Sequence, residues 1–275
     1  MSMYKVQDST NCEIQYEVFE NTLPQTTFFI HGNLCSSRWW YPALESLKSV
    51  FAISKKIHQQ PMICANFRGC GQSTAPKSLQ EVSMSVFADD FIGLIESLNI
   101  SEKVNLVGHS TGGLIAALMM AKKPELFNKA VLLDPVGAKG VKFDESMISA
   151  FEQMKVDKDL VGIIMGSTIY QNDPSTEFFK KTVVEDAFSA VKSVGHWVLK
   201  ALDGFDGRSE ISKVQNPTLV LHGEYDFLLP MQDSQDLAAQ MKNAHFEVVK
   251  NQGHCANVEN PQNFAQILDR FLFSN

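Results

Sequence analysis

The sequence predicts an α/β protein in which a mostly parallel sheet is covered by helices on both faces and carries a helical insertion. Short, β-prone runs alternate with helical patterns, which is typical of parallel strands joined by crossover helices. Most of these runs are continuously apolar, as expected of strands buried on both faces. One long interval, between about Asp134 and Pro217, contains helical patterns and no convincing strand. We therefore expect a doubly wound sheet with one inserted helical segment.

The first third of the chain supplies the early strands and one clear helix. Residues 12–20 alternate in part between apolar and polar side chains, which predicts a strand with one solvated face. Residues 26–30 and 61–66 are short β-prone runs and predict buried strands. The helix that follows has an apolar stripe made of Phe87, Phe91, Leu94, Ile95 and Leu98.

The remaining strands are predicted at residues 103–107, 129–134, 217–223 and 246–249. A closing helix has its apolar residues at helical spacing, namely Phe264, Ile267, Leu268, Phe271 and Leu272. The long interval shows further helical stripes, made of Met147, Ile148, Phe151 and Met154, then Phe178, Phe179, Phe188, Val191, Val198 and Leu202. We interpret this interval as a lid over the strand ends, because loops at that edge of an open sheet frame ligand sites. Extra packing helices are the alternative.

Composition limits the classes of function. The 275 residues suit one α/β domain with an insertion, and the balance of 44% hydrophobic and 20% charged residues is that of a globular chain. The formal net charge of −7 argues against a nucleic-acid surface. We therefore expect a small-molecule partner and no nucleic acid. Whether the protein is a monomer or a homodimer is left open.

The cysteines and the N-terminus indicate a reducing compartment. The five cysteines are scattered and odd in number, so no disulfide framework is expected, and no paired C-x-x-C spacing suggests a zinc site. Residues 1–8 contain no apolar stretch typical of a secretory signal, and no run approaches the roughly 20 apolar residues that cross a bilayer. We expect a cytoplasmic protein without membrane insertion.

A glycine-flanked serine lies between a predicted strand and a predicted helix. Gly108-His109-Ser110-Thr111-Gly112 is a G-x-S-x-G motif, which in this context forms a strained turn that exposes the serine hydroxyl. Glycine on both sides removes the β-carbons that would collide in so tight a turn. The bland alternative is a loop in which Ser110 only caps the helix. We predict that Ser110 is a nucleophile.

A serine nucleophile needs a base, and the base needs an acceptor that orients it. Asp226 follows the strand predicted at residues 217–223, and His254 follows the next strand. The order serine, acid, histidine is the one expected for this type of fold. Both residues come at strand ends, on the sheet edge where Ser110 is predicted to lie. We therefore predict a Ser110–His254–Asp226 triad.

Other residues compete for these roles. Asp134 also follows a strand and is the main rival acid, although Pro135 after it favours a structural turn. Glu224 is a weaker rival, since its position suits an exposed turn, and Asp226 itself could be only a helix cap. Cys255 has no base of its own and is predicted to be a small buried residue.

The oxyanion of an acyl-transfer intermediate needs two donors. The Thr111 N–H directly after the serine is one candidate. The Asn33 N–H, in the loop after residues 26–30, is the other, with Leu34 as the next choice. His31 is expected to support this loop by hydrogen bonding, and the His109 side chain is expected to point away from that of Ser110.

Large side chains near the predicted site are candidates for lining an apolar pocket for a small to medium acyl or aromatic group. Each one taken alone is more often a core residue than a contact. The candidates are Leu34, Trp39, Trp40, Phe151, Met154, Ile164, Met165, His196 and Trp197.

The chain as a whole resembles α/β-hydrolase-fold proteins of the compact, cap-bearing kind, which include carboxylesterases, lactonases and C–C bond hydrolases. The resemblance rests on five segments in family order, from about residue 26 to the C-terminus. They are His31-Gly32-Asn33, the segment Asn66-Phe67-Arg68-Gly69-Cys70-Gly71-Gln72-Ser73, Gly108–Gly113, Leu221-His222-Gly223-Glu224-Tyr225-Asp226, and Gly253-His254. Asn66 departs from the aspartate common at its position, which is structural in the family.

The resemblance implies an eight-stranded sheet, a triad of Ser110, His254 and Asp226, and no cofactor. It implies a core of residues 1–137 and 209–275 and a helical cap at 138–208, inserted after the sixth strand. Serine at the turn speaks against the dehalogenases and epoxide hydrolases of this fold, which use aspartate there. The activity we expect is hydrolysis of a carboxylic ester or lactone. C–C bond hydrolysis of a β-diketone-like substrate, or a weakly catalytic ligand sensor, are the alternatives.

Overall fold

A computed structural model describes residues 1–8, 10–23, 25–54 and 60–273. Eight strands form a single sheet with the order β1-β2-β4-β3-β5-β6-β7-β8. Strand β2 is antiparallel to both of its neighbours, β1 and β4, and the other five neighbouring pairs are parallel, which confirms the mostly parallel α/β sheet. The strands are β1 (Ser2–Lys5), β2 (Glu13–Leu23), β3 (Thr27–Ile30), β4 (Gln60–Ala65), β5 (Val104–His109), β6 (Phe127–Leu133), β7 (Thr218–Gly223) and β8 (Ala244–Val249).

Helices cover both faces of the sheet. They are α1 (Tyr41–Ser54), α2 (Met84–Ser97), α3 (Thr111–Lys122), α4 (Glu145–Met154), α5 (Lys158–Ser167), α6 (Glu185–Ser193), α7 (Trp197–Leu202), α8 (Arg208–Ile211), α9 (Met231–Gln240), α10 (Ala256–Glu259) and α11 (Pro261–Leu268). Successive side chains along a strand point to opposite faces of the sheet, so that Phe28 and Ile30 enter one apolar core while Phe29 enters the other. Helices α1 and α11 pack on the Phe29 side, and α2, α3 and α9 pack on the opposite side.

The register brings the carboxyl ends of the central strands to one edge. Ile30 pairs with Gly108, and Leu133 pairs with both His109 and Leu221. Gly223 pairs with Val249. The loops that follow β3, β5, β6, β7 and β8 therefore start side by side, which is the condition for residues distant in sequence to form one site.

The interval between β6 and β7 is helical. Residues 134–217, all of which the structure describes, contain helices α4 to α8 and a π-helical stretch at Phe179–Val184, and no strand. Side chains from the segment after β3 hold this helical interval to the sheet, since the Arg38 guanidinium and the Ser36 hydroxyl both donate hydrogen bonds to the Asp186 carboxylate of α6. No helix among the described residues has the length and apolar character needed to span a membrane.

Candidate active site

Ser110 lies at a strained turn between β5 and α3. Its backbone has φ of +55° and ψ of −120°, a conformation that L-residues rarely adopt. A β-carbon at position 108 would lie 2.4 Å from the Gly112 carbonyl oxygen, and one at position 112 would lie 2.4 Å from the carbonyl oxygens of Ile30 and His31. The two glycines of the motif are therefore required by close packing between β5, α3 and the loop after β3.

His254 and Asp226 meet at the same edge. The Nδ1 atom of His254 lies 2.8 Å from the Asp226 Oδ2 atom. Oδ1 of Asp226 accepts hydrogen bonds from the backbone N–H groups of Leu228 at 2.7 Å and Leu229 at 3.1 Å. Burial alone would raise the pKa of Asp226, but the bond from His254 and these two N–H groups outweigh it, and the pKa lies below its usual value. Asp226 is thus built to carry a negative charge.

One cavity of about 260 Å³ contains both Ser110 and His254 among its lining residues. Its walls are mainly apolar and include residues from the sheet edge and from the inserted helices. Among the described residues that line the cavity, Lys142 is the only lysine or arginine, and none is an aspartate or a glutamate. The cavity therefore offers a hydroxyl and an imidazole at one side of an apolar space.

Several predicted pocket residues line this cavity, and others do not. Leu34, Trp39, Phe151, Ile164 and Met165 are in its wall. Contact of these side chains with a substrate stays a prediction.

The structure corrects the expectation for the other four residues. Trp40 packs on Phe29 and Phe264, in the core on the opposite face of the sheet. Met154 is fully buried in the apolar core instead of facing the cavity. His196 is turned toward the Glu152 carboxylate, and Trp197 packs on the core from the first turn of α7.

The predicted oxyanion donors lie in the loop after β3 and at the start of α3. The Leu34 N–H donates a hydrogen bond of 3.0 Å to Oδ1 of Asn33, and Leu34 has φ of +60°. The Asn33 N–H donates no bond to another described residue, and the Thr111 N–H starts α3, where an N–H has no partner within the helix. Both residues line the cavity beside Ser110. This geometry is compatible with Asn33 and Thr111 as donors and disfavours Leu34.

Glu259, which the sequence did not assign to the site, holds the backbone around His254. Glu259 accepts hydrogen bonds from the N–H groups of Gly253 at 2.6 Å and Cys255 at 3.1 Å, on either side of the histidine. The same carboxylate accepts from the Tyr170 N–H of the inserted segment at 2.9 Å. Burial raises the pKa of Glu259, and the three donated bonds act in the opposite direction. Glu259 thus ties the histidine loop to the insertion.

His109 supports the same loop from the other side. Its Nε2 atom lies 2.9 Å from the carbonyl oxygen of His254, so this nitrogen carries the proton and donates it. Burial lowers the pKa of His109 to about 3, which keeps its ring neutral. His31 pairs through Nδ1 with the Gly32 carbonyl at 2.7 Å, and burial lowers its pKa to about 4. These two histidines are structural supports.

The rival residues have other partners. The Asp134 carboxylate accepts from the Gly223 N–H at 2.7 Å. Glu224 pairs with Lys250 and with the Asn251 N–H, in a turn at the surface. Cys255 donates to the Thr168 carbonyl at 3.3 Å, and burial raises the pKa of its thiol well above the usual range.

Asp134, His222 and Asp226 bring ligand atoms within 4.8 Å of one another, close enough to hold a metal ion. Protein groups already use these atoms, however. The Nδ1 atom of His222 lies 2.9 Å from the Ser234 hydroxyl, and Asp226 is bonded by His254 and two N–H groups. The donor set therefore suits a hydrogen-bonded cluster better than a metal site.

Comparison with known proteins places this geometry in context. A family model described as the α/β hydrolase fold matches residues 28–261. A putative carbamate hydrolase RutD of Agrobacterium fabrum is 28% identical over 247 residues, which is 86% of this chain and 88% of the relative. A 2-hydroxymuconate semialdehyde hydrolase of a Pseudomonas species is 28% identical over 227 residues, 77% of this chain and 76% of the relative. The crystal structure of an enol-lactonase from Burkholderia xenovorans has a TM-score of 0.81 at 18% identity, and covers 99% of this chain and 100% of its own.

Proposed function

This chain belongs to the α/β-hydrolase fold family, and on that premise we propose that it is a serine hydrolase of small to medium carboxylic esters, of the carboxylesterase or lactonase type. One observation carries the proposal: the 2.8 Å bond between His254 and Asp226 lies beside a cavity that His254 shares with Ser110. A base held by an acidic acceptor, with a hydroxyl in the wall of the same cavity, is the minimum equipment for acyl transfer.

In the proposed first step, Nε2 of His254 takes the proton of Ser110 as the hydroxyl oxygen attacks the ester carbonyl carbon. The imidazolium that forms is stabilised by Asp226, whose charge is maintained by its own N–H donors. His254 then gives the proton to the leaving alcohol, and an acyl-enzyme on Ser110 remains. Water, deprotonated by the same histidine, attacks this ester; the bond to Ser110 breaks, His254 returns the proton to the serine oxygen, and the acid is released.

The tetrahedral intermediates carry a negative oxygen in each half of the cycle. We assign their stabilisation to the N–H groups of Asn33 and Thr111, which are supplied by backbone already fixed by the serine turn and the loop after β3. Donors of this kind lower the barrier because they need no reorganisation when charge develops. Each is worth about 10²–10³ in rate.

The mainly apolar wall of the cavity supports an apolar acyl or alcohol group. The inserted helices contribute Phe151, Ile164 and Met165 to that wall. We therefore propose that residues 138–208 act as a cap that selects the substrate, and that residues 1–137 and 209–275 form the core. Nothing in this cycle requires a cofactor.

The test is a Ser110→Ala variant assayed on a panel of short esters and lactones, with a fluorophosphonate probe that labels active serines. We expect labelling of the wild-type protein at Ser110, and in the variant a loss of labelling and of several orders of magnitude in kcat/KM. Ester hydrolysis at the wild-type rate by Ser110→Ala would refute the assignment.

A C–C bond hydrolase is the second candidate, because one relative is named a 2-hydroxymuconate semialdehyde hydrolase. A carbamate is a further option suggested by the name of the other relative. Both reactions would use the same serine, base and oxyanion donors. Turnover of a β-diketone-like compound, or of a carbamate, by a protein that leaves all simple esters and lactones intact would favour them over the ester hydrolase.

A further inference from the structure

A second carboxyl group is buried behind the proposed acid. Asp134 follows β6 with φ of +43°, a strained conformation for an aspartate, and its exposed fraction is 0%. Its Oδ1 atom accepts from the Gly223 N–H at 2.7 Å. Its Oδ2 atom is buried, and the described residues offer it no conventional donor. A buried carboxylate oxygen without a donor is costly, so its position needs an explanation.

The carboxyl group of Asp226 is close by, since an oxygen of each of the two carboxyl groups lies within 4.8 Å of the other. Two carboxylate oxygens this close repel each other unless a proton lies between them, and two buried carboxyl groups sharing a site do not both ionise. Such a proton would also satisfy the orphaned oxygen. The remaining question is which residue carries it.

The hydrogen-bond donors around the pair decide the question. Asp226 receives bonds from His254 and from two backbone N–H groups, whereas Asp134 receives one. His222 does not reverse this, because its nitrogens are 3.5 Å from Asp134 and 3.8 Å from Asp226. More donors favour the charged form, so the negative charge belongs on Asp226 and the proton on Asp134.

We propose that Asp134 is a positioning residue that keeps its proton at neutral pH and donates it in a hydrogen bond to Asp226. The bond holds the Asp226 carboxylate in place and moderates its basicity, so that the proton on His254 Nδ1 stays on the imidazole. This role rests on the proposed triad, but the protonation of Asp134 is a property of the fold and can be measured without any substrate.

The surrounding charges act in the same direction. Burial, and next the charge of Asp226, raise the pKa of Asp134 well above its usual value, while the Gly223 N–H opposes them. Glu259 adds to the rise. Burial lowers the pKa of His222, so this ring supplies no compensating cation at neutral pH. The titratable groups that face Asp134 are Asp226, His222, Glu259, Cys255 and, through Asp226, His254.

Protonation of a buried acid has a signature in stability. In the unfolded chain Asp134 loses its proton above a pH of about 3.9, whereas in the folded protein it keeps the proton to much higher pH. Folding then takes up one proton, and a protein that binds more protons when folded loses stability as the pH rises. In Asp134→Asn this proton uptake is absent, while the amide can still donate to Asp226 and accept from Gly223.

The first experiment measures melting temperature against pH for the wild type, Asp134→Asn and a control, Asp159→Asn, which changes an exposed acid on α5. We expect the difference in melting temperature between Asp134→Asn and wild type to grow in favour of the variant from pH 5 to pH 8. The control should follow the wild type. An unchanged difference across that range would overturn the proposal.

Infrared spectroscopy gives a second reading on the intact protein. At neutral pH the wild type should show the carbonyl stretch of a protonated carboxylic acid, and this band should be missing in Asp134→Asn and present in Asp159→Asn. Identical wild-type and Asp134→Asn spectra in this region would refute a protonated Asp134. Neither measurement depends on ester hydrolysis, so failure of the proposed function would be distinguishable from failure of this inference.

The kinetic test compares Asp134→Ala with Asp134→Asn. Loss of the donor in Asp134→Ala should lower kcat/KM about 10- to 100-fold, the range for one hydrogen bond to a charged group, and move the acid limb of the pH profile to higher pH as Asp226 becomes more basic. The amide in Asp134→Asn should restore most of the rate and the wild-type acid limb. An acid limb that moves to lower pH in Asp134→Asn would mean that Asp134 is ionised, and would overturn the proposal.

Discussion

Replacement of Glu259 by glutamine tests how far the histidine loop depends on one carboxylate. Oε1 of Glu259 accepts from the N–H groups of Tyr170 and Cys255, and Oε2 accepts from the N–H of Gly253. A glutamine has one carbonyl oxygen and one NH2 group, so it can keep the first pair of bonds only by directing its NH2 at the Gly253 N–H. The variant therefore loses at least one of three bonds and the charge that strengthens the others.

The magnitude follows from the cost of a buried N–H without an acceptor, which is about 1–3 kcal/mol. We expect Glu259→Gln to lower the free energy of unfolding by about this amount, and Glu259→Ala, which leaves all three N–H groups unpaired, by about 3–5 kcal/mol. Because Gly253 and Cys255 flank His254, the imidazole should also shift. A displacement on the order of 1 Å costs about 100-fold in rate, so kcat/KM should fall about 10- to 100-fold in Glu259→Gln.

The assay combines urea unfolding with hydrolysis of a nitrophenyl ester of a short acid. Glu224→Gln is the matched control, since Glu224 accepts one backbone N–H, from Asn251, and the glutamine oxygen can keep that bond. We expect the control to change stability by less than about 0.5 kcal/mol and to leave kcat/KM intact. If Glu259→Gln behaved like Glu224→Gln in both measurements, the carboxylate would not hold the histidine loop.

Three other substitutions probe the serine turn, the core and the pocket. In Gly32→Ala the new β-carbon would lie 3.1 Å from the Ser110 β-carbon. We therefore expect kcat/KM to fall by about 10-fold or more with little change in melting temperature. A fully active variant would show that the serine turn can shift to accept the methyl group. In Arg68→Ala the buried Asp90 carboxylate loses bonds of 2.7 and 2.8 Å, and urea unfolding should show a loss of about 3–5 kcal/mol. Phe151→Ala enlarges the cavity, and the ratio of kcat/KM for long over short acyl esters should rise; an unchanged ratio would place the acyl group elsewhere.

The fold and the proposed triad could be predicted because their signals are local. The apolar runs that become β3, β5, β6 and β7 are continuous in sequence, and parallel strands end at one edge of a sheet. Ser110, Asp226 and His254 each follow such a run closely, so their placement at one edge of the sheet could be anticipated without coordinates. The short strand β1 was not predicted, since four mostly exposed residues at an edge have no apolar pattern.

The pocket was predicted less well, because the direction of a side chain is not a property of composition. Trp39 and Trp40 are adjacent in a 3₁₀ turn, where successive side chains diverge by about one third of a turn. One of them therefore enters the cavity, and the other enters the core on the opposite face. The sequence around the two tryptophans does not reveal which of them lines the cavity and which packs in the core.

The serine and the histidine of the site are fixed by different means, and this difference decides what a sequence can reveal. Close backbone packing holds Ser110, and the two glycines that permit this packing lie within two residues of the serine. The serine turn therefore appears in the sequence as a short motif. His254 is held by side chains that come from β5 and from the loop after β7, and by Glu259 five residues further on, none of which forms a pattern with it. The bond from Tyr170 to Glu259 spans 89 residues of chain. These supports are hydrogen bonds, several of them between residues distant in sequence, and their loss should displace the base without displacing the nucleophile. Substitutions that impair activity should therefore be scattered along the sequence, although in the fold they surround the one loop that carries His254.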